Sequence, residues 1–189
     1  AAPIAAVESL ENPADIREAF PSKQSHVMIG APGIRRDDPD RHKLMLANHV
    51  LGGGGFTSRL VKEVRKKRGY VYSIYSDFAP MAQRGRFMIG MQTRGSQVDD
   101  ASKVTRDILQ RFMEEGATEE EFEAAKAKIT GSFPLRIAGN GQIVQNISAI
   151  GFYGLPLDYL DTYIERIEAL TLDEAMAAFR RHVNPDNLV

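Results

Sequence analysis

The stretch LGGGGFTSRLVKEVRKKRGYVYSIYSDF, running from Leu51 to Phe78, decides how the rest of the chain is read. Four consecutive glycines, Gly52 to Gly55, interrupt a helical pattern, and Thr57 or Ser58 can cap a second helix that starts at once. That helix runs to about Arg68 with Leu60, Val61 and Val64 on its inner face. It ends in Arg65, Lys66, Lys67 and Arg68, where a helix C-terminus favours cations. Gly69 stops it, and the alternation of Tyr70-Val-Tyr-Ser-Ile-Tyr reads as a strand.

The flanking sequence supplies the scaffold. Gln24 to Ala31 alternates as a strand, and Val71 to Ala79 and Arg86 to Thr93 read as an antiparallel pair joined by the loop Pro80 to Gly85. Phe87, Ile89 and Met91 share one face of the latter strand. A helix is expected from Asp38 or Pro39 to Leu51, with Leu44, Ala47, Val50 and Leu51 inward. Beyond the strands the chain is helical. Val98, Ala101, Val104, Ile108, Leu109 and Phe112 form a stripe ended by Gly116, and Thr118 with Glu121 makes a capping box for the next helix. After the break Gly139-Asn-Gly141 come Ile143, Ile147 and Ile150 at helical spacing, then an amphipathic run from Leu157 to Leu170. Thr171 with Glu174 caps a last helix near His182. Strand, two helices, two strands and further helices do not alternate as a parallel doubly wound sheet does. The order predicts an α+β fold, an antiparallel or mixed β-sheet covered on one face by helices. Residues 1–22 read as a lead-in or linker limited by Pro3, Pro13 and Pro21, with room for a helical turn at Asp15 to Phe20; residues 23–189 read as a single domain. After the turn Asn184-Pro-Asp-Asn, Leu188 and Val189 open an apolar run, as in a domain whose final strand is truncated.

Composition bounds the function. The 189 residues can bury a proper core, and 43% apolar with 26% charged residues is ordinary for a globular domain. A net charge of −1 gives no pull toward nucleic acid, and no apolar run approaches the roughly 20 residues that span a bilayer. The absence of cysteine excludes disulfides and thiolate metal sites.

Most chemical motifs fail on inspection. The glycines lack the lysine of a phosphate-binding loop and follow a helix rather than a strand, so a structural hinge is the better reading. Arg68 to Tyr75 superficially resembles the aromatic strand motif of RNA-recognition domains, but Val71 and Ser73 depart from it. The histidines His26, His42, His49 and His182 form neither H-E-x-x-H nor H-x-x-E-H, and each reads as a surface or core residue rather than a metal ligand. No metal site is expected in this chain. Gly-x-Ser-x-Gly is absent too. The pair Arg65 and Tyr72 is left. On composition alone they are one of four basic residues and one of three strand tyrosines, which solvation and packing account for. Functionally, a helix end and the adjoining strand would bring together a fixed cation and a phenol. Both donate hydrogen bonds without prior deprotonation, as a site for a carbonyl or developing oxyanion requires.

The same residues carry a family resemblance. Leu51, Gly52 to Gly54, Ser58, Arg59, Leu60, Arg65, Gly69, Tyr72, Ser73 and Ile74 fit a pattern close to L-G-G-G-x-S-S-R-L-x-x-x-[IL]-R-E-x-x-G-L-A-Y-S-[IV]. It resembles the second, non-catalytic half-domain of the pitrilysin-type zinc peptidases, which include insulysin and the mitochondrial processing peptidase. Thr57, Lys66, Tyr70 and Val71 depart mildly, while Glu115 to Lys126, Gly154 to Asp158 and the closing Asn184 to Val189 follow the family. The resemblance implies a processing-peptidase-like metallohydrolase half-domain without metal. Zinc would sit in a partner half-domain bearing H-x-x-E-H, in the same full-length chain or a separate subunit. It implies that Arg65 and Tyr72 contact the carbonyl or oxyanion of a peptide substrate, and that Gly52, Gly53, Gly54 and Gly55 let substrate or partner approach closely. A structural or protein-binding subunit of the same fold is the alternative.

Overall fold

The computed structural model describes residues 4–189, so Pro3 of the lead-in lies outside the described residues. Three strands, β1 (Gln24–Pro32), β2 (Val71–Ala79) and β3 (Arg86–Arg94), form one antiparallel sheet in the order β1-β3-β2. The period-two pattern sets the register: Ile29 lies opposite Ile89, and Ile74, Ser76 and Phe78 lie opposite Met91, Ile89 and Phe87. One irregularity breaks it. Val71 pairs with Thr93 and Ser73 with Gln92, so Tyr72 is an extra residue in β2. This bulge turns both Val71 and Ile74 inward and leaves Tyr72 facing solvent.

Helices cover one sheet face. These are α1 (Arg41–Asn48), a basic helix wound with wide turns (Val61–Lys67), α2 (Val98–Glu115), α3 (Glu119–Ser132), α4 (Asn140–Tyr153), α5 (Tyr163–Glu168) and α6 (Leu172–His182). Phe179 of α6 links the layers: its ring meets Phe87 of β3 and Phe112 of α2 edge-on, at 5.9 and 5.2 Å. Both expected capping boxes form, Thr118 with Glu121 and Thr171 with Glu174. Among the described residues no helix is long and apolar enough to cross a membrane.

Four local expectations are revised. The first helix starts at Arg41, after a turn at Pro39 and Asp40. The glycines are not a loose hinge: His49–Gly53 continue α1 as one wide π turn, closed by the Gly54 N–H donating to the His49 carbonyl at 2.8 Å. The run from Leu157 is helical only over α5; the Tyr159 N–H bonds the Pro156 carbonyl and the Thr162 N–H the Asp158 carbonyl, holding residues 157–162 in turns. No helical turn forms at residues 15–20, where Ile16 and Phe20 stay about four-fifths exposed and have no face to pack against. The lead-in is nonetheless fastened down. Asn187 donates to the Leu10 carbonyl, and the Ala14 N–H to the Leu188 carbonyl. At the chain's end Val189 and Gly30 exchange two backbone hydrogen bonds of 2.9 Å, which places the last residue against the outer edge of β1.

The end of α1 packs closely against β2. Asn48 Nδ2 donates to the Ser76 carbonyl at 3.0 Å and the Ser76 hydroxyl donates to Asn48 Oδ1 at 2.6 Å, both side chains buried. A Cβ on Gly52 would lie 2.3 Å from Ser76 Oγ and 2.6 Å from its backbone nitrogen. Asn48→Ala and Ser76→Ala should each cost about 1–3 kcal/mol, because each strands a buried polar partner. The double variant should cost clearly less than the sum. Urea melts of all three variants measure this, and strict additivity would contradict it.

Candidate functional site

The site is built on the helix–turn–strand unit from Gly52 to Ile74. Gly55, at φ +61°, turns the chain out of the wide turn, and the Ser58 hydroxyl donates to the Gly55 carbonyl to fix the start of the next helix. Its far end is closed by Gly69 at φ +64°, whose N–H donates to the Arg65 carbonyl, while the Tyr70 N–H donates to that of Val64. Arg65 and Tyr72 therefore stand at the two ends of a fixed turn. Arg59 braces the unit from below. Its guanidinium grips the Glu121 carboxylate through three contacts of 2.6–3.2 Å and covers the Phe112 ring at 5.2 Å. Burial alone would raise the Glu121 carboxyl, but the Arg59 and Thr118 hydrogen bonds outweigh it and hold it low.

The basic cluster sorts itself by partner. Lys67 and Arg68 both bind the Glu63 carboxylate, at 2.5 and 3.0 Å, and Arg68 also bonds the Glu63 carbonyl. The Lys67 hydrogen bond, with that of Arg68, keeps Glu63 below the usual carboxylate range. Lys66 donates to the Phe56 carbonyl at 3.1 Å. The Arg65 side chain forms no hydrogen bond or ion pair among the described residues. Its guanidinium lies 5.2 Å over the ring of Phe56, which is itself 64% exposed. Arg65 thus keeps its donors free.

Tyr72 is 73% exposed on the uncovered sheet face. It lines a cleft of about 300 Å³ with Gln24, Gln92, Arg94 and Gln97, and Arg65 does not line that cleft. The glycines divide: Gly52 is buried against Ser76, Gly54 is half-buried, and Gly53 and Gly55 are exposed. Phe56, Gln92 and Arg94 escaped the sequence reading. Phe56 carries a signal in retrospect, a large apolar residue between glycines and a helix cap with no stripe to join.

Among the described residues one group, Asp38, Asp40 and His182, brings metal-type ligand atoms within 4.8 Å of one another. Cations already fill it. Asp40 accepts from Lys43 at 3.0 Å and from His182 at 3.1 Å, and it pairs with Arg181 at 3.0 Å. Burial works to raise the Asp40 carboxyl, but these hydrogen bonds and charges hold it below the usual range. Asp40 is thus an ion-pair hub whose charge is already balanced by Lys43, Arg181 and His182, while Asp38 caps the turn by accepting from the Asp40 N–H at 2.8 Å.

Comparison with known proteins bears on the whole unit. The profile of the peptidase M16 inactive domain matches residues 4–129. An uncharacterized zinc protease of Streptomyces coelicolor is 35% identical over 159 residues, 84% of this chain and 34% of that protein. A Helicobacter pylori protein named as a non-peptidase homolog is 31% identical, over 88% of this chain and 39% of its own. The crystal structure of a peptidase M16 inactive domain from Pseudomonas fluorescens superposes with a TM-score of 0.85 at 42% identity, covering 90% of this chain and 40% of that one. The chain thus spans between a third and two fifths of the length of these relatives.

Acid should weaken the fold in a defined window. Burial, aided by the charges of Arg41, Arg166 and Arg36, pushes the His42 imidazole from 6.5 down to about 4. The folded value lies below the unfolded one, so the unfolded chain binds the proton first. Stability is full above about pH 6.5 and falls as pH drops toward about 4. Asp40 acts lower: its contribution is lost only as pH falls through its depressed carboxyl value, below 3.8. Denaturant melts from pH 7 to 4 should show the first slope, and His42→Gln should flatten it. His49, also pushed down by burial, retains a remainder. An unchanged slope in His42→Gln would refute the assignment.

Proposed function

The chain belongs to the peptidase M16 inactive-domain family, and on that premise we propose that it is the half of a zinc peptidase that holds the peptide and steadies developing charge, while a partner half bearing H-x-x-E-H hydrolyses it. The observation that carries this reading is the isolation of Arg65. Each basic neighbour on the same helix end is paired locally, and among the described residues Arg65 is the member of that end whose guanidinium has no polar partner, resting on an exposed ring. A packing or solubility role asks for no such distinction.

The chemistry follows from the two donors. Arg65 and Tyr72 donate hydrogen bonds to a substrate carbonyl in the ground state and to its oxyanion as charge develops. Donors fixed beforehand by a rigid turn gain most when the negative charge appears, so they lower the barrier more than they tighten binding. Gly55, exposed beside Phe56 with open space where a Cβ would be, leaves room for an extended backbone to approach, whereas Gly52 and Gly53 serve close contacts with Ser76 and Asn48. On this reading zinc would be held by the H-x-x-E-H residues of the partner half and would supply carbonyl polarisation and an activated water there.

Support for a partner half comes from α4, whose 14 residues include no charged side chain and no buried one. Val144, Ile147 and Phe152 are each 61–70% exposed, an apolar surface suited to the polypeptide that the longer relatives possess. A second reading, a protein-binding or structural subunit without proteolytic role, is favoured by the name of the Helicobacter pylori relative.

Reconstitution with an H-x-x-E-H half separates the two. On the first reading, peptide hydrolysis appears only with both halves, and Arg65→Ala or Tyr72→Phe lowers kcat by about 10²–10³ with a smaller change in KM. Wild-type rates in both variants would remove these residues from the chemistry. Association without hydrolysis would select the second reading.

A further inference from the structure

A second group of unsatisfied positive charge lies apart from Arg65 and plays no role in the function proposed above. The loop after β1 and the first turn of α1 set Arg36, Arg41 and His42 against Tyr153 at the end of α4 and against Tyr159 and Tyr163. The Arg36 guanidinium lies 5.3 Å over the Tyr153 ring, and its Nε is buried without a hydrogen-bond partner. Arg41 lies 5.6 Å over the Tyr159 ring and donates to the Tyr159 hydroxyl. His42 Nε2 sits 3.3 Å from both Arg41 Nη1 and the Tyr159 hydroxyl, and its ring meets the edge of Tyr163 at 5.4 Å.

The negative charge that would balance this group is missing. Among the described residues no carboxylate pairs with Arg36, Arg41 or Arg166. Asp40, next in the chain to Arg41, is committed to Lys43, Arg181 and His182. The groups act on one another's acidity. Burial and the charge of Arg41 push Arg36 down, and His42 is driven neutral by burial and by the charges of Arg41, Arg166 and Arg36. A purely structural cluster of cations would be expected to carry a counter-charge, because burying like charges together with an unmet donor is unfavourable. Guanidinium forks beside a phenol are instead the groups that grip an oxyanion.

We infer that Arg36, Arg41 and the Tyr159 hydroxyl form a binding site for an oxyanion, a carboxylate or phosphate group. The site is independent of Arg65 and Tyr72.

The test titrates the folded chain with inorganic phosphate and, separately, with glutarate, at ionic strength held constant with sodium chloride. His42 ring and arginine Nε resonances are followed by NMR, and melting temperature is followed in parallel. A saturable shift at His42 with a rise in melting temperature, absent with chloride alone, is expected for at least one probe. Response to glutarate alone assigns the site to carboxylates such as acidic peptide side chains, and response to phosphate alone to phosphate groups. Arg36→Gln and Arg41→Gln should each weaken binding at least about tenfold, the usual worth of a charge-assisted hydrogen bond. Without anion, Arg36→Gln should melt no lower than wild type, since it removes an unbalanced charge; a structural arginine would melt lower. Arg166→Gln, on an exposed helix surface, serves where Arg41→Gln does not fold, and should weaken binding less. No saturable shift with either probe, or equal shifts in Arg36→Gln and wild type, would overturn the inference.

Discussion

The contact on which this fold turns is the close approach of the α1 end turn to β2. β2 is an edge strand, and an edge strand presents backbone groups that water or a neighbour must satisfy. Here the neighbour is Asn48, whose amide binds the Ser76 carbonyl and whose oxygen takes the Ser76 hydroxyl. The approach is so close that only glycine fits at position 52. To reach it, α1 must widen by one residue at its end, and that widening fixes where the chain leaves for Gly55 and Phe56. The presentation of Arg65 over Phe56 is therefore set by a buried hydrogen-bond pair on the opposite side of the glycines.

The electrostatics of the basic helix follow the same economy of partners. A helix C-terminus accepts several cations because its free carbonyls carry partial negative charge. Glu63, one turn back, then takes two of them, and the Phe56 carbonyl takes a third. A ring face attracts a guanidinium without consuming its hydrogen bonds. Arg65 is held in place and left able to donate, which is the condition a binding arginine has to meet.

Much of this was legible in the sequence because it is local. The strands follow from alternation and the capping boxes from residue pairs three apart, both of which a linear reading can see. The Tyr72 bulge was not read from the sequence: only the structure shows that Val71 and Ile74, three apart, both face inward, which a regular strand does not allow. The rest of what escaped was non-local. Ser76 reads as a neutral strand position until Asn48 is brought against it. The run from Leu157 carries helical periodicity, yet the turn bonds at Pro156 and Asp158 claim its first six residues. Arg36, Arg41, Tyr153 and Tyr159 lie in separate segments, and nothing in any one segment marks them as a cluster.

The two positive sites differ in a way that bears on what each can do. Arg65 stands at a helix end, on an exposed ring, beside Gly55, which leaves space. Its charge is screened by water until something covers it, so its hold on any hydrogen-bond acceptor would strengthen only once the site was covered. Arg36 and Arg41 are already partly desolvated among tyrosines, and their field is strong before anything arrives. A group of the first kind is suited to a step completed by a partner, because the partner's arrival switches on its strength. One of the second kind suits a standing interaction that the chain makes alone. On the function proposed above, Arg65 would be the group that a partner half completes, and Arg36 with Arg41 the group that acts without one.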